Sequence, residues 1–188
     1  MHGAASVTWV TTCGALAEAL SEAQRLGFLG ARPIKEVIEH SRAFVRALDG
    51  RLGRVVDLGS GGGVPGLVIA IDRPDLDIVL IDRRTKRTDF LARMVRRLDL
   101  VDRVEILPAD VTVAIDRWPG CFEIVVARGF GPPETTLRAG LKLMTPTGAV
   151  VISEPPSGHQ WQEPLLAELG VTVDRSIPGV VRLCRAER

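Results

Sequence analysis

At 188 residues the chain has the length of one domain, and a chain of that size buries about 70% of its unfolded surface, enough for a core that needs no disulfide or metal staple. Its 46% apolar and 25% charged residues exclude an intrinsically disordered chain. Lys and Arg number 24 against 23 Asp and Glu, a formal charge of +1, so a nucleic-acid surface has to come from local segregation of charge rather than from bulk electrostatics.

Residues 1–13 are weakly patterned and read as a frayed end. From Gly14 to about Leu26, Leu16, Leu20, Ala23 and Leu26 recur near helical spacing. A second helix is predicted after Pro33, a residue favoured in first turns, with Ile34, Val37, Ile38, Val45 and Leu48 on one face and Gly50 and Gly53 closing it. Residues 1–50 are therefore read as an N-terminal helical segment, and 51–188 as the main domain of one globular unit. From there short β-branched runs alternate with amphipathic stretches: RVVDL (54–58), DIVLID (77–82), RVEIL (103–107), EIVVA (123–127) and AVVIS (149–153). Runs apolar on both faces are what a buried parallel sheet requires. Helices are predicted at Pro65–Arg73, Thr85–Asp99, after Asp110 and at Pro133–Met144. In the second of these Phe90, Leu91, Met94, Val95 and Leu98 face inward, and Arg87, Asp89, Arg93, Arg96 and Arg97 outward. VTVDRS (171–176) and VVRLCRA (180–186) flank Ile177-Pro178-Gly179 and read as an antiparallel pair. The whole predicts a doubly wound α/β fold, a mostly parallel sheet with helices on both faces.

Cys13, Cys121 and Cys184 form no CxxC pair, and His2, His40 and His159 form no HxxxH pair, so neither a disulfide scaffold nor a metal site is expected. Cys121 precedes a buried strand and is expected in the core. No apolar run reaches the roughly 18 residues that span a bilayer. The first residues lack the basic start of a signal peptide, and a cytoplasmic protein without a membrane partner is expected.

The run RVVDL leads directly into GSGGGVPG (Gly59–Gly66) and an apolar helix. Glycines at such a turn let a ligand approach the backbone, and the helix start offers unpaired N–H groups. Gly61, Gly63 and Gly66 fit the dinucleotide pattern G-x-G-x-x-G. Asp57 with Gly59, Gly61 and Gly63 fits D-x-G-x-G-x-G, the pattern usual for S-adenosylmethionine (SAM). Asp82, ending the second run, can take two ribose hydroxyls in either case, or can cap the helix that follows. Two features favour SAM: an acid sits where SAM carries its ammonium and NAD carries only phosphates, and the chain has no length for a separate substrate domain.

On DLGSGGGVPGLVIAI (57–71), LIDRRTKRTDFL (80–91) and FEIVVARGF (122–130) the chain resembles the RsmG (GidB) family, which methylates N7 of a guanine in small-subunit ribosomal RNA. The resemblance implies a Rossmann-like class I methyltransferase fold, SAM as cofactor, and 16S ribosomal RNA or the small subunit as partner. It implies that Gly59 and Val64 contact the methionine end of SAM, with Asp57, Ser60, Gly61 and Gly63 forming the turn. Asp82, beside Arg83, would hold the ribose, and Asp110, Val111 and Thr112 would border the adenine. Arg128 would lie beside cofactor and substrate, the candidate for positioning in catalysis. The chain departs from the family in having no tyrosine, in keeping only Glu39-His40 of an Arg-His-x-x-Asp-Ser element, with Ala43 at the Asp, and in carrying Glu154-Pro155 where the family has Lys-Gly. Those departures keep open a small-molecule methyltransferase and a non-catalytic SAM-binding module.

Guanine N7 has an in-plane lone pair and no proton to lose, so transfer to it needs alignment and no general base. Consistent with that, Ala127-Arg128-Gly129-Phe130 stands where amino-directed enzymes carry N/D-P-P-aromatic. Glu154-Pro155-Pro156-Ser157 reads as a turn ending the fifth strand. The basic stretch from Arg83 to Arg103 is interleaved with Asp89, Asp99 and Asp102, and reads as a solvated helix face. Trp118, Phe130 and Trp161 are candidate base-stacking surfaces; His40 and His159 read as surface or capping residues.

Overall fold

The computed structural model describes residues 3–158 and 161–186, with side chains from Gly14 onward. His2, Cys13 and His159 lie outside the described side chains. In chain order the elements are α1 (Gly3–Arg25), α2 (Ile34–Ala47), β1 (Arg54–Leu58), α3 (Gly66–Asp72), β2 (Asp77–Ile81), α4 (Thr85–Arg97), β3 (Val104–Leu107), α5 (Val111–Arg117), β4 (Phe122–Ala127), α6 (Pro133–Leu143), β5 (Met144–Ser153), α7 (Glu163–Leu169), β6 (Val171–Asp174) and β7 (Val180–Arg185).

The strands form one sheet in the order β3-β2-β1-β4-β5-β7-β6. β1 to β5 run parallel, and β7 lies antiparallel to both β5 and β6. Leu58 pairs with Ile81 on one side and Ala127 on the other, so β1, β2 and β4 end level. The chain steps outward from β1 to β2 and β3, then returns to place β4 on β1's free side. That reversal opens a crevice at the carboxyl ends of β1 and β4, where open α/β sheets bind ligands.

The double-sided burial read from the β1 and β4 runs follows from helices on both faces. Val55 points into a core built with Leu16, Leu20, Phe44, Val68 and Phe90 of α1 to α4. Its neighbour Val56 points into the opposite core, with Val125, Val150 and Leu137. The N-terminal helices thus share a core with the sheet. Arg93 adds an ion pair to Glu22 at 2.8 Å and Arg97 pairs with both Glu18 and Glu22. Exposed pairs of this kind contribute only about 0–1 kcal/mol each, so apolar burial holds α1 in place.

Several boundaries differ from the expectation. α1 begins at Gly3 rather than at Gly14, so residues 3–13 continue the helix instead of fraying, and Leu26 is 48% exposed. α2 buries Val37, Ser41, Ala43, Phe44 and Ala47, with Ile34, Ile38 and Val45 at the margin. Met144 opens β5 instead of ending α6. The seven-residue α7 was not anticipated; it ends in a left-handed cap at Gly170. Cys121 is exposed rather than in the core, because alternation starts at the buried Phe122 and turns the preceding side chain away. No described helix is long and apolar enough to cross a membrane, and no group of three or more His, Cys, Asp or Glu among the described residues could hold a metal ion.

Candidate active site

Between β1 and α3 the chain makes a tight turn with Gly59, Gly61 and Gly63 at φ of 68°, 52° and 93°, the left-handed region that side chains disfavour. Ser60 N–H donates to Ile81 O at 2.8 Å, its hydroxyl to Asp57 O at 2.9 Å, and Gly63 N–H to Ser60 O at 2.7 Å. Two carboxylates pin the turn from opposite sides. Asp57 Oδ2 accepts from Gly66 N at 3.0 Å and Asp82 Oδ2 accepts from Gly61 N at 3.0 Å. Val64, in the same turn, is buried.

Asp57 is only 1% exposed. Burial pushes its carboxyl up to about 7, against the opposing pull of the Gly66 N–H, the Ser60 hydroxyl and the Arg128 guanidinium. A buried carboxyl at that value becomes an anion readily once a cation is placed beside it.

Asp82 is 5% exposed; its Oδ1 accepts from Arg84 N at 2.9 Å, and Arg87 Nη1 reaches Oδ2 at 3.4 Å. It is not the cap of α4. Arg84 occupies that position without a side-chain cap, and the N–H groups of Arg87 and Thr88 bond to its carbonyl. Arg83 is exposed. Beyond β3, Asp110 caps α5, accepting from Thr112 N and Thr112 Oγ1 at 3.1 Å each, with Val111 half-buried. Asp110–Thr112, Asp82, the glycine turn and Arg128 therefore follow one another along the carboxyl edge of β3, β2, β1 and β4.

The N-terminal segment supports this edge in a way the sequence did not signal. A Cβ on Gly62 would fall 2.6 Å from Leu29 and 3.2 Å from Ala23, and Arg87 lies over the Phe28 ring at 5.9 Å. Of the three candidate stacking surfaces, Phe130 packs on the turn, 2.9 Å from where a Cβ on Gly59 would stand. Trp118 packs edge-on against Phe122 under Arg54 and Arg117, at the amino ends of the strands and away from the site. Trp161 donates from Nε1 to Glu154 Oε1 at 3.2 Å. The basic stretch is engaged in part: Arg87 pairs with Asp82, Arg93 and Arg97 serve α1, and Arg103 bonds main-chain oxygens at Ala70 and Leu76, whereas Arg83, Arg84, Lys86 and Arg96 are exposed.

A pocket of about 1160 Å³ opens beyond the carboxyl ends of β4 and β5 and the β6–β7 turn, lined by Arg32, His40, Arg128, Phe130, Glu154 and Arg175 among others. Arg128 is half-buried and its guanidinium makes no hydrogen bond or ion pair with any described residue. His40 stands edge-on to Phe44 at 6.0 Å and close against Gly179. Burial, Arg128 and Arg32 all hold its imidazole below the ordinary histidine value. Glu154, after β5, pairs with Arg175 Nε at 3.2 Å, so the acid in the 154–157 turn does not stand as an isolated charge. Sequence reading missed the convergence of Arg32, Glu154 and Arg175 here, because they come from separate loops; His40 carried a signal in the remnant Glu39-His40 element.

The edge thus brings together a buried acid raised toward neutrality, a second acid pinning the glycine turn, and an adjoining pocket rich in guanidinium groups. The family model described as GidB, rRNA small subunit methyltransferase G, matches residues 16–160. A protein of Acidothermus cellulolyticus named ribosomal RNA small subunit methyltransferase G is 31% identical over 175 residues, covering 87% of this chain and 70% of that protein. Its namesake from Nocardioides is 43% identical over 98 residues, 52% of this chain. The chain spans 38% of the Nocardioides protein and 50% of the Salinispora tropica one. Among solved structures, a Corynebacterium glutamicum protein aligns with TM-score 0.64 at 16% identity, covering 93% of this chain and 91% of its own. A SAM-dependent methyltransferase from Aquifex aeolicus aligns with TM-score 0.60 at 14% identity, covering 87% and 96%. These likenesses show the class I methyltransferase fold, and the match across residues 16–160 places the chain in the GidB family, rRNA small subunit methyltransferase G.

Proposed function

We propose that the chain is a SAM-dependent methyltransferase of small-subunit ribosomal RNA, directed at N7 of a guanine, and working in the cytoplasm where that RNA is assembled. The observation that carries the reading is the unbroken row along one sheet edge: Asp110–Thr112, Asp82, the glycine turn with Asp57, and then the arginine-lined pocket. Bound there, SAM supplies an electrophilic methyl group on a sulfonium. Asp57 would face its ammonium, Asp82 its ribose hydroxyls, and Val111 with Thr112 its adenine. Arg128 would stand between cofactor and acceptor. With N7 as acceptor no proton has to move, and the chain's residues need only hold the two reactants in line. The names of the relatives support ribosomal RNA as the acceptor class.

S-adenosylhomocysteine is expected to bind with measurable heat, and Asp82→Asn to weaken it at least tenfold with some loss of stability, since a charge-assisted acceptor is worth about 1.5–3 kcal/mol and the amide keeps only one of the two oxygens that accept from Gly61 N and Arg84 N. The purified protein with labelled SAM should then label isolated small-subunit RNA or small subunits at one guanine. Cofactor binding without labelling of any RNA would favour the small-molecule acceptor; labelling at an exocyclic or ribose atom would reject N7.

A further inference from the structure

We propose that Arg32, His40 and Arg128 together form a phosphodiester-binding subsite of the acceptor pocket, and that His40 takes up a proton when the phosphate enters. The inference deepens the methyltransferase reading and rests on it for the identity of the acceptor.

The three residues come from three parts of the fold: the α1–α2 connection, the middle of α2 and the end of β4. All three line the same pocket. None of their side chains hydrogen-bonds or pairs with a described residue, whereas Arg42, Arg73, Arg93, Arg97, Arg138 and Arg182 each pair with an acid. Arg32 is exposed, but the half-buried guanidinium of Arg128 has donors without acceptors, which is costly, and its planar fork matches the two non-bridging oxygens of a phosphate.

Every group around His40 points the same way. Arg128 faces it from β4, Arg32 from the preceding connection, Phe44 from its own helix and Gly179 from the β6–β7 turn. No acid figures among the groups that act on His40: Glu39 pairs with Arg46, Glu154 with Arg175 and Trp161, Asp57 accepts from Gly66 N, and Glu36, one turn back on α2, is exposed. The two guanidiniums that keep the imidazole neutral in the empty pocket are the groups a phosphate would neutralise. An incoming anion therefore turns the surroundings of His40 from repelling a proton to holding one. Binding and protonation are then linked, and affinity falls as pH rises through the window between the empty and filled His40 values.

The test is an NMR titration of the three histidines in the whole chain saturated with S-adenosylhomocysteine, the His40 signal being identified by its loss in His40→Gln. The ammonium of that ligand keeps Asp57 ionised across the range. The probe is a guanosine-containing dinucleotide, whose single diester does not change charge there, with guanosine and inorganic phosphate as comparisons. The dinucleotide is expected to raise the His40 value by about one unit, and its affinity to fall about tenfold across the window. His40→Gln should flatten that dependence, and Arg128→Gln should weaken the dinucleotide at least tenfold, a larger loss than guanosine suffers. Equal binding of guanosine and dinucleotide, or an unmoved His40 at saturation, would overturn the proposal. So would inorganic phosphate reproducing the shift with no gain from the dinucleotide, since that marks a free-phosphate site. Calorimetry of the homocysteine ligand is read separately: no heat there rejects the cofactor reading, and the dinucleotide titration without it still decides the subsite.

Discussion

Gly66→Ala is expected to cost about 3 kcal/mol or more of stability and to abolish cofactor binding. Gly66 opens α3 fully buried, and a Cβ there would overlap Leu80 and fall 2.6 Å from Asp57 Oδ2. Leu80 belongs to the buried β2 strand and Asp57 to β1, so neither can retreat without moving the sheet. Overpacking of a tight core costs about 1–3 kcal/mol, and displacing the buried Asp57 carboxylate from the Gly66 N–H breaks that hydrogen bond for a further 1–3 kcal/mol. For a chain of this size that lowers the melting midpoint by about 10 °C. Gly14→Ala is the control: nothing stands within 4 Å of its Cβ in α1, and the change should be neutral or slightly stabilising. Thermal melts with calorimetry of S-adenosylhomocysteine check both, and a Gly66→Ala protein that melts and binds normally would show that the turn adapts.

Asp57→Asn is expected to stabilise the empty protein near pH 8 while weakening the cofactor at least tenfold. The folded carboxyl titrates at about 7, above its ordinary 3.8, because burial penalises its charge. From about pH 4 upward the unfolded chain has released this proton and the folded chain still holds it. Stability is therefore lost as pH rises toward 7 and is level above it, by about 4 kcal/mol in all. Asparagine keeps an acceptor for Gly66 N and has no proton to lose. The stability difference between the two proteins should thus be small near pH 4.5, grow through neutrality, and plateau by pH 8. The cofactor's ammonium reverses the preference by stabilising the anion, so wild-type affinity should rise with pH toward 7 and that of Asp57→Asn should stay flat. Paired denaturation curves across pH, in which other titrating groups cancel, test this; a difference independent of pH would mean that Asp57 is charged at all times.

How much of this was readable in advance depends on whether the signal was local. The parallel strands were legible because β1 and β4 are apolar on both faces, and the glycine turn because Asp57, Gly59, Gly61 and Gly63 lie within seven residues. Asp82 was legible from its place at the end of β2, although its role in pinning Gly61 was not. The acceptor side was largely hidden. Arg32, Glu154 and Arg175 sit in loops far apart in sequence, and only the return of β7 beside β5 brings the β6–β7 turn over the pocket. Cys121 was misplaced because one residue of register at a strand start inverts the face. Trp118 was left undecided between stacking and packing because its sequence position near a loop says nothing about which end of the sheet that loop serves. α7 escaped because Glu163–Leu169 is too short to show a helical period.

The stretch joining α1 to α2 touches both halves of the site: Leu29 backs the glycine turn at Gly62, Phe28 lies beneath Arg87, and Arg32 reaches the pocket. Anyone trimming this chain to a minimal catalytic core, or grafting its front end onto a related enzyme, inherits that coupling. Cutting at residue 51 would strip the rear wall from the turn and an anchoring cation from the mouth in one stroke, so swaps should exchange the linker together with the loop it braces.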